Sequence, residues 1–437
     1  MSSEAFATPN YEQLKKLTNW RKSTFLVCLF GYVGYYLCRK NISAAFPLLA
    51  TEFNFSNTQL GLIAFYSEIA YAIGKFINGP LADKVGGKKI FLLGMIGAIV
   101  SNLVFTLGHS LIFFIITWCV CRYFLSMGWG GLTKMIGHWY EPSKNGTVMG
   151  FISLNFQFGG VVATLFAGFL VAQNLGWRSI FIYPPIVLLL IFIWSFFGSK
   201  ESPEEVIKGT NFGKGEHFSH TFEKKNLDSK SIIKSLLKMK IYRNLLVFSF
   251  LTTFLRSIFF FWTPKLLVDI GMGASNAILK SALFPLLGCL GTIILGYYTD
   301  HHAKNGDRAK AMWIMLLGLI ISLFMVSYLM SSGNMANNNL IVVFIGMCGF
   351  FLLGPYSMSS GCLTLDIAGG EAAGSATGMI DGLGYIGGAI AVWGAGKLSD
   401  NLGWSQVFFI LAICSIFATI SAYFMSQEFQ RKYLNKN

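Results

Sequence analysis

Charge is scarce in this chain of 437 residues: Asp, Glu, Lys and Arg make up 12% of it, about half the share of an ordinary soluble protein. With a mean hydropathy of +0.57, that excludes a water-soluble globule. Ten prolines are too few for a disordered or collagen-like chain despite 47 glycines, and 8 cysteines are too few for a disulfide scaffold. A signal-peptide core is also missing, because residues 1–23 are polar. The first apolar stretch is therefore expected to be its own targeting signal, with the mature chain starting near Met1.

Long apolar runs are what the chain has instead. A spanning helix needs about 20 mostly apolar residues, since only a helix satisfies its own backbone polar groups in hydrocarbon. Twelve such stretches are expected, at 24–49, 59–82, 89–108, 111–138, 144–173, 178–198, 241–268, 276–300, 309–331, 338–366, 372–399 and 404–427. The fold class is thus an all-α membrane protein. It divides into an N-tail (1–23), a six-helix bundle (24–198), a hydrophilic linker (199–240), a second six-helix bundle (241–427) and a C-tail (428–437). The linker carries nine Lys and six acids and ends in an amphipathic stretch from Ser231 to Lys240 that predicts a surface helix.

The net charge of +14 could suggest nucleic acid, but its placement argues otherwise. Of 34 basic residues, 24 fall on one side of the predicted bundle, in the tails, the linker and three loops, whereas Arg178, Lys265, Lys280 and Lys397 border the other. The positive-inside rule makes the basic side cytoplasmic, with both termini inside. The excess then encodes orientation in a lipid bilayer, and no nucleic-acid partner is expected.

The two predicted bundles are related by duplication. Arg39, Pro47, Gly79 and Asp83 recur as Arg256, Pro264, Gly296 and Asp300, each pair 217 residues apart. A second register, 228 residues apart, relates Gly146, Gly150, Gly159 and Gly160 to Gly374, Gly378, Gly387 and Gly388. Parallel repeats of this kind are related by an axis along the membrane normal, with the substrate site near the midplane between them. Arg39 and Arg256 then face each other at equal depth.

Charges within apolar spans are costly, roughly 2.5–3.5 kcal/mol each on the insertion scale, and so mark function. They are Arg39, Lys40, Glu68, Lys75, Arg122, Lys134, Arg256, Asp366 and Asp381. An arginine cannot shed its proton to escape the penalty, and its planar fork suits carboxylate or phosphate oxygens. Two facing arginines call for an anion between them, and a phosphate dianion balances the pair. Tyr32, Tyr36 and Arg39 follow at i, i+4 and i+7, which lines one helix face with hydroxyls and a cation, while Tyr35 and Lys40 point elsewhere. Glu68 and Lys75, seven apart on one face, are expected to neutralise each other, or Glu68 titrates and couples a proton. Arg122 and Lys134 are expected to pack the fourth helix against the loop that follows the second, with a place in the cavity as the alternative for Lys134.

That loop, Gly79-Pro80-Leu81-Ala82-Asp83-Lys84-Val85-Gly86-Gly87-Lys88-Lys89, and its weaker copy from Gly296 and Asp300 through Arg308, resemble the signature loop of the major facilitator superfamily. The resemblance implies that Gly79, Asp83, Lys88, Gly296, Asp300 and Arg308 control conformational switching. Gly31-Tyr32-Val33-Gly34-Tyr35-Tyr36-Leu37-Cys38-Arg39-Lys40-Asn41 and the run from Ala70 to Gly79 resemble the organophosphate:phosphate antiporter family. So do Met127-Gly128-Trp129, His138-Trp139, Arg256 with Trp262-Thr263-Pro264, and Gly354-Pro355.

This likeness implies exchange of a sugar phosphate or glycerol phosphate for inorganic phosphate, with Arg39 and Arg256 clamping the phosphate and the two halves rocking. Lys40, Gln157, Trp129, Tyr356 and Asp381 complete the expected substrate-binding set. Departures from the family pattern are local. Leu154 to Phe158 lacks the fifth-helix histidine, Phe259, Phe260 and Phe261 replace a seventh-helix acid, and Pro285 replaces an eighth-helix acid. Asp381 either pairs with Lys40 in place of the lost acid or faces substrate hydroxyls, and with Glu68 it is the candidate for ion coupling.

The leading expectation is a multi-pass transporter of a bacterial inner membrane, acting as a monomer without cofactor or metal. Two alternatives remain at this level: a sugar-phosphate sensor that partners a kinase, and a transporter of a carboxylate or siderophore anion. No nucleophile and base are arranged as an enzyme requires.

Overall fold

The computed structural model describes residues 10–140, 148, 152, 155–210, 212, 229–302, 307–359 and 362–434. All regular structure among them is helical. The first half runs α1 (Tyr11–Phe53), α2 (Asn57–Val85), α3 (Gly87–Phe105), α4 (Leu111–Leu125), α5 (Met127–Trp139), α6 (Asn155–Ala172) and α7 (Gly176–Gly198). A short α8 (Ser229–Lys238) leads into the second half: α9 (Lys240–Asp269), α10 (Ala274–Ser281), α11 (Leu283–His302), α12 (Arg308–Ser331), α13 (Asn338–Ser359), α14 (Cys362–Leu402) and α15 (Trp404–Leu434).

Among the described residues, ten helical segments are long and apolar enough to cross a membrane, two of them formed by the consecutive pairs α4 with α5 and α10 with α11. The long helices α1 and α14 stand outside that set. They carry ionisable residues in mid-helix, Arg39 and Lys40 in one and Asp381 in the other. The bilayer-facing surface explains itself: Ile112, Leu190 and Ile321 are 70%, 63% and 64% exposed, a cost of roughly 25 cal/mol per Å² in water that acyl chains remove.

Helix ends follow local chemistry. α1 starts well before the apolar run because Asn10 and Gln13 form a reciprocal capping box. α2 does likewise with Ser56 and Gln59, and it ends at Gly86, whose φ of 106° only glycine adopts without strain. Asp366, expected at the end of the tenth span, lies in α14 together with the span expected at 372–399, and residues 360 and 361 are outside the described residues. The amphipathic end of the linker forms α8 as expected.

The packing repeats as the duplication requires. α1 rests on α6 and α7 as α9 rests on α14 and α15, α2 meets α4 as α11 meets α13, and α3 meets α7 as α12 meets α15. Between the halves, α1 packs on α9, α2 on α14, and α6 on α10 and α11.

One group of inter-half contacts lies at the end remote from the basic residues. There Asp400 of α14 accepts hydrogen bonds from the first two backbone N–H groups of α2, Asn57 at 3.0 Å and Thr58 at 2.7 Å, and from the Thr58 hydroxyl at 2.6 Å. A carboxylate of one half thus caps the positive end of a helix of the other. Gly61 permits the approach, since a Cβ there would stand 3.2 Å from the Trp393 Cα.

Candidate functional site

Arg39 and Arg256 are both buried, on α1 and α9. Asn41, the next residue but one after Arg39, locks that turn in place: its amide donates to Asn102 Oδ1 at 2.5 Å, and the Asn102 amide donates to the Ala98 carbonyl at 2.8 Å. Tyr35 anchors the same helix by donating to the Phe91 carbonyl at 2.5 Å. These bonds hold one face of α1 against its own half and leave the other to the interior.

The free face opens on a cavity of about 160 Å³ between the halves, lined by Tyr32, Tyr36, Arg39, Trp129, Arg256, Tyr356 and Asp381 of the expected set. Tyr71, Lys75, Phe156, Ser357, Thr377 and Tyr385 complete it. The tyrosines form the floor of the cation site. Arg39 lies 4.6 Å from the Tyr71 ring centre and 5.2 Å from that of Tyr36, and Arg256 lies 4.7 Å from that of Tyr356. Tyr32 packs on Tyr36 and Trp129, with ring centres 5.6 and 5.3 Å away.

The hydrogen bonding of the two arginines is incomplete. Among the described residues Arg39 donates once, from Nη1 to the Tyr71 hydroxyl at 3.3 Å, and its Nε has no partner. Arg256 makes no hydrogen bond or ion pair among the described residues. Its contacts are faces of Tyr356 and Phe260. A guanidinium carries five N–H donors, and its strongest hydrogen bonds are the charge-assisted ones it makes to an anion.

A second, smaller chamber of about 30 Å³ adjoins the first, sharing Tyr36, Phe156 and Arg256 as walls. Lys40 and Gln157 line it with Phe260, Phe284 and Pro285. Lys40 Nζ donates to the Phe260 carbonyl and sits 4.1 Å from that ring's centre. Gln157 donates across the halves to Thr292 Oγ1 at 2.7 Å, and its Oε1 is buried without a partner.

Two charge pairings differ from the sequence expectation. Glu68 does not neutralise Lys75: it forms a fully buried ion pair with Arg122 of α4, beneath the Tyr71 ring. Lys75 instead meets Asp381 of α14 at 3.8 Å. Asp381 is therefore not the partner of Lys40, whose nitrogen is held by a carbonyl. The reason is geometric, because residues of different helices come closer than residues two turns apart on one helix. Lys134 does reach the loop after α2, donating to the Ala82 carbonyl at 2.9 Å.

The loop residues stand apart from the cavity. Gly79 lies within α2, Lys88 donates to the Phe196 and Ser199 carbonyls at 2.9 and 2.6 Å, and the Asp83 side chain lies outside the described residues. In the second copy, Gly296 lies within α11 and Arg308 pairs with Asp300 at 2.6 Å. Sequence reasoning missed Glu201, which follows α7. Its carboxylate accepts the Gly87 and Lys88 backbone N–H groups at 2.7 and 2.6 Å and so caps α3. It also missed Tyr71, Thr377 and Tyr385. Their spacing was the available signal: Tyr71 with Lys75, and Thr377 with Asp381 and Tyr385, recur every four residues.

The Major Facilitator Superfamily pattern matches residues 28–359. A probable hexose phosphate transport protein of Chlamydia trachomatis is 25% identical over 428 residues, covering 93% of this chain and 91% of its own. The glycerol-3-phosphate transporter of Bacillus subtilis is 28% identical over 410 residues, with 92% and 91% covered. A membrane sensor protein of Escherichia coli is 24% identical, with 93% and 92% covered. Among solved structures, an inward-facing, unoccupied bacterial homolog of the human lysosomal transporter Spinster superposes with a TM-score of 0.77 at 15% identity, over 94% of this chain and 98% of that one.

Proposed function

The chain belongs to the Major Facilitator Superfamily, and we propose that it carries a phosphorylated small metabolite across a bacterial inner membrane in exchange for inorganic phosphate, using Arg39 and Arg256 as the phosphate clamp. The observation that carries this reading is Arg256: a buried cation that shares one cavity with Arg39 and makes no hydrogen bond or ion pair among the described residues. The hexose phosphate and glycerol-3-phosphate transporters among its relatives support the same class of cargo.

The mechanism follows from charge. In the empty site the two guanidinium groups repel, so conformers that bring α1 and α9 closest are disfavoured. A phosphate dianion between them reverses the sign of that interaction and adds charge-assisted hydrogen bonds. Loading therefore shifts the population towards the closed intermediate from which either side can open. An empty carrier returns slowly, and exchange is the outcome. With the basic side cytoplasmic, the Asp400 cap closes the outer end and the described conformer opens inward.

The six helices on each side of the 199–240 linker act as the two rocking bodies, and the cavity floor of tyrosines orients the ester oxygen. Binding of glycerol 3-phosphate to purified protein, displaced by inorganic phosphate and abolished by Arg256→Gln, tests the site. Binding that survives Arg256→Gln and ignores inorganic phosphate contradicts it. The sensor relative favours a second reading, recognition without transport, which binding in the absence of flux through proteoliposomes would select.

A further inference from the structure

Three cations surround one phenyl ring that lines the second chamber. The Phe260 ring centre lies 5.6 Å from Arg39, 5.5 Å from Arg256 and 4.1 Å from the Lys40 ammonium. All three side chains are buried, and among the described residues none of them has a carboxylate within ion-pair distance. The nearby acids are engaged elsewhere, Glu68 with Arg122 and Asp381 facing Lys75. Phe260 supplies only the negative face of a ring and one carbonyl oxygen, which soften three charges without cancelling any.

A phosphate monoester carries close to two negative charges at neutral pH. Bound between Arg39 and Arg256 it leaves Lys40 uncompensated, about one charge short. The missing charge has a place to sit. The second chamber, of about 30 Å³, is large enough for a group of a few heavy atoms, opens off Arg256 and presents the Lys40 ammonium. Gln157 lines the same chamber, is 2% exposed, and its Oε1 is a buried acceptor with no donor. A carboxylate completes Lys40, and a hydroxyl on the neighbouring carbon completes Gln157. Phe156, Phe284 and Pro285 offer nothing polar to a sugar ring at that position.

We propose that the preferred cargo is a phosphate monoester that also bears a carboxylate with an adjacent hydroxyl, the phosphate held by Arg39 and Arg256 and the carboxylate by Lys40 in the side chamber. The proposal rests on the phosphate-clamp reading and narrows it. Lys40 is then the residue that sets specificity, distinguishing a trianion from the dianionic glycerol and hexose phosphates.

The test compares two ligands that differ at one carbon: 3-phosphoglycerate, with a carboxylate, and sn-glycerol 3-phosphate, with a hydroxymethyl group in its place. Calorimetric titration of the full-length protein in lipid nanodiscs is expected to show 3-phosphoglycerate binding about tenfold tighter or more, the gain of one charge-assisted contact. Lys40→Met brings that ratio close to one, and Lys40→Arg keeps it. Equal or tighter binding of glycerol 3-phosphate by the unaltered protein overturns the proposal and leaves the phosphate clamp standing, with no variant needed. A ratio that persists in Lys40→Met overturns it too. If neither ester binds while citrate does, the clamp itself is wrong, and the narrower proposal falls with it.

Discussion

Lys75 of α2 and Asp381 of α14 approach to 3.8 Å across the boundary between the halves, at the edge of the central cavity. Each is the other's ion-pair partner, so their contributions to binding and transport are coupled. A double-mutant cycle on Lys75→Met and Asp381→Asn is expected to give an interaction energy of about 0.5–3 kcal/mol in ligand affinity. The cycle pairing Lys40→Met with Asp381→Asn is expected to be additive. Coupling in the second cycle and none in the first contradicts the geometry.

Glu68 and Arg122 act on stability. Their ion pair is buried and closes the space beneath Tyr71. Removing one charge strands the other in a medium that cannot solvate it, a loss of roughly 3–5 kcal/mol. Glu68→Gln should lower the melting temperature of the detergent-solubilised protein sharply, and the double substitution Glu68→Gln with Arg122→Met should recover part of it. Proton-coupled uptake that disappears in Glu68→Gln while the melting temperature holds would return Glu68 to the transport cycle.

Asp400 stabilises the described conformer alone. It caps α2 only while α14 lies alongside, and a cap of this kind contributes about 1–2 kcal/mol. Asp400→Ala is therefore expected to move the conformational equilibrium about tenfold towards the state open at that end. Electron-paramagnetic distances between spin labels at His109 and Asn334, two exposed loop positions at that end on opposite halves, should lengthen or broaden. An unchanged distance distribution counts against the cap as a latch.

Glu201 gives the end of the bundle where α3 begins a pH dependence. Burial alone would push its carboxyl up, but hydrogen bonds from His138 and from the Lys88 and Gly87 backbone hold it below the ordinary carboxylate range. A native value lower than the unfolded one stabilises the fold above about pH 4.3, the unfolded value, and the contribution disappears as pH falls through the lowered native value. Glu201→Gln is expected to lower the melting temperature at pH 7 and to flatten its decline below about pH 5. Equal melting curves from pH 7 to pH 4 would mean the α3 cap contributes nothing.

What could be read from sequence was whatever depends on one helix or on the repeat. Arg39 and Arg256 were identifiable as 217-residue equivalents, and Tyr32 and Tyr36 followed from helical periodicity, because a repeat fixes depth and a period fixes face. Partners drawn from other helices were not identifiable. From sequence Glu68 pairs with Lys75 because the sequence offers only neighbours along the chain, whereas the fold supplies Arg122 to one and Asp381 to the other. The role of Glu201 was hidden for the same reason, since its partners lie more than a hundred residues away. The departures at Phe260 and Pro285 were visible as missing acids, but only the fold shows that they line a chamber holding Lys40.

The central claim is that Arg39 and Arg256 jointly bind a phosphate that must be present for the carrier to reorient. The measurement that reaches it most directly is uptake of labelled inorganic phosphate into proteoliposomes loaded either with unlabelled phosphate or with buffer alone. The account predicts rapid uptake only into phosphate-loaded vesicles, reduced about a hundredfold or more by Arg39→Lys and by Arg256→Lys, since a lysine cannot reproduce the bidentate fork. Uptake that is equal with and without internal phosphate, or that survives either substitution undiminished, would contradict it.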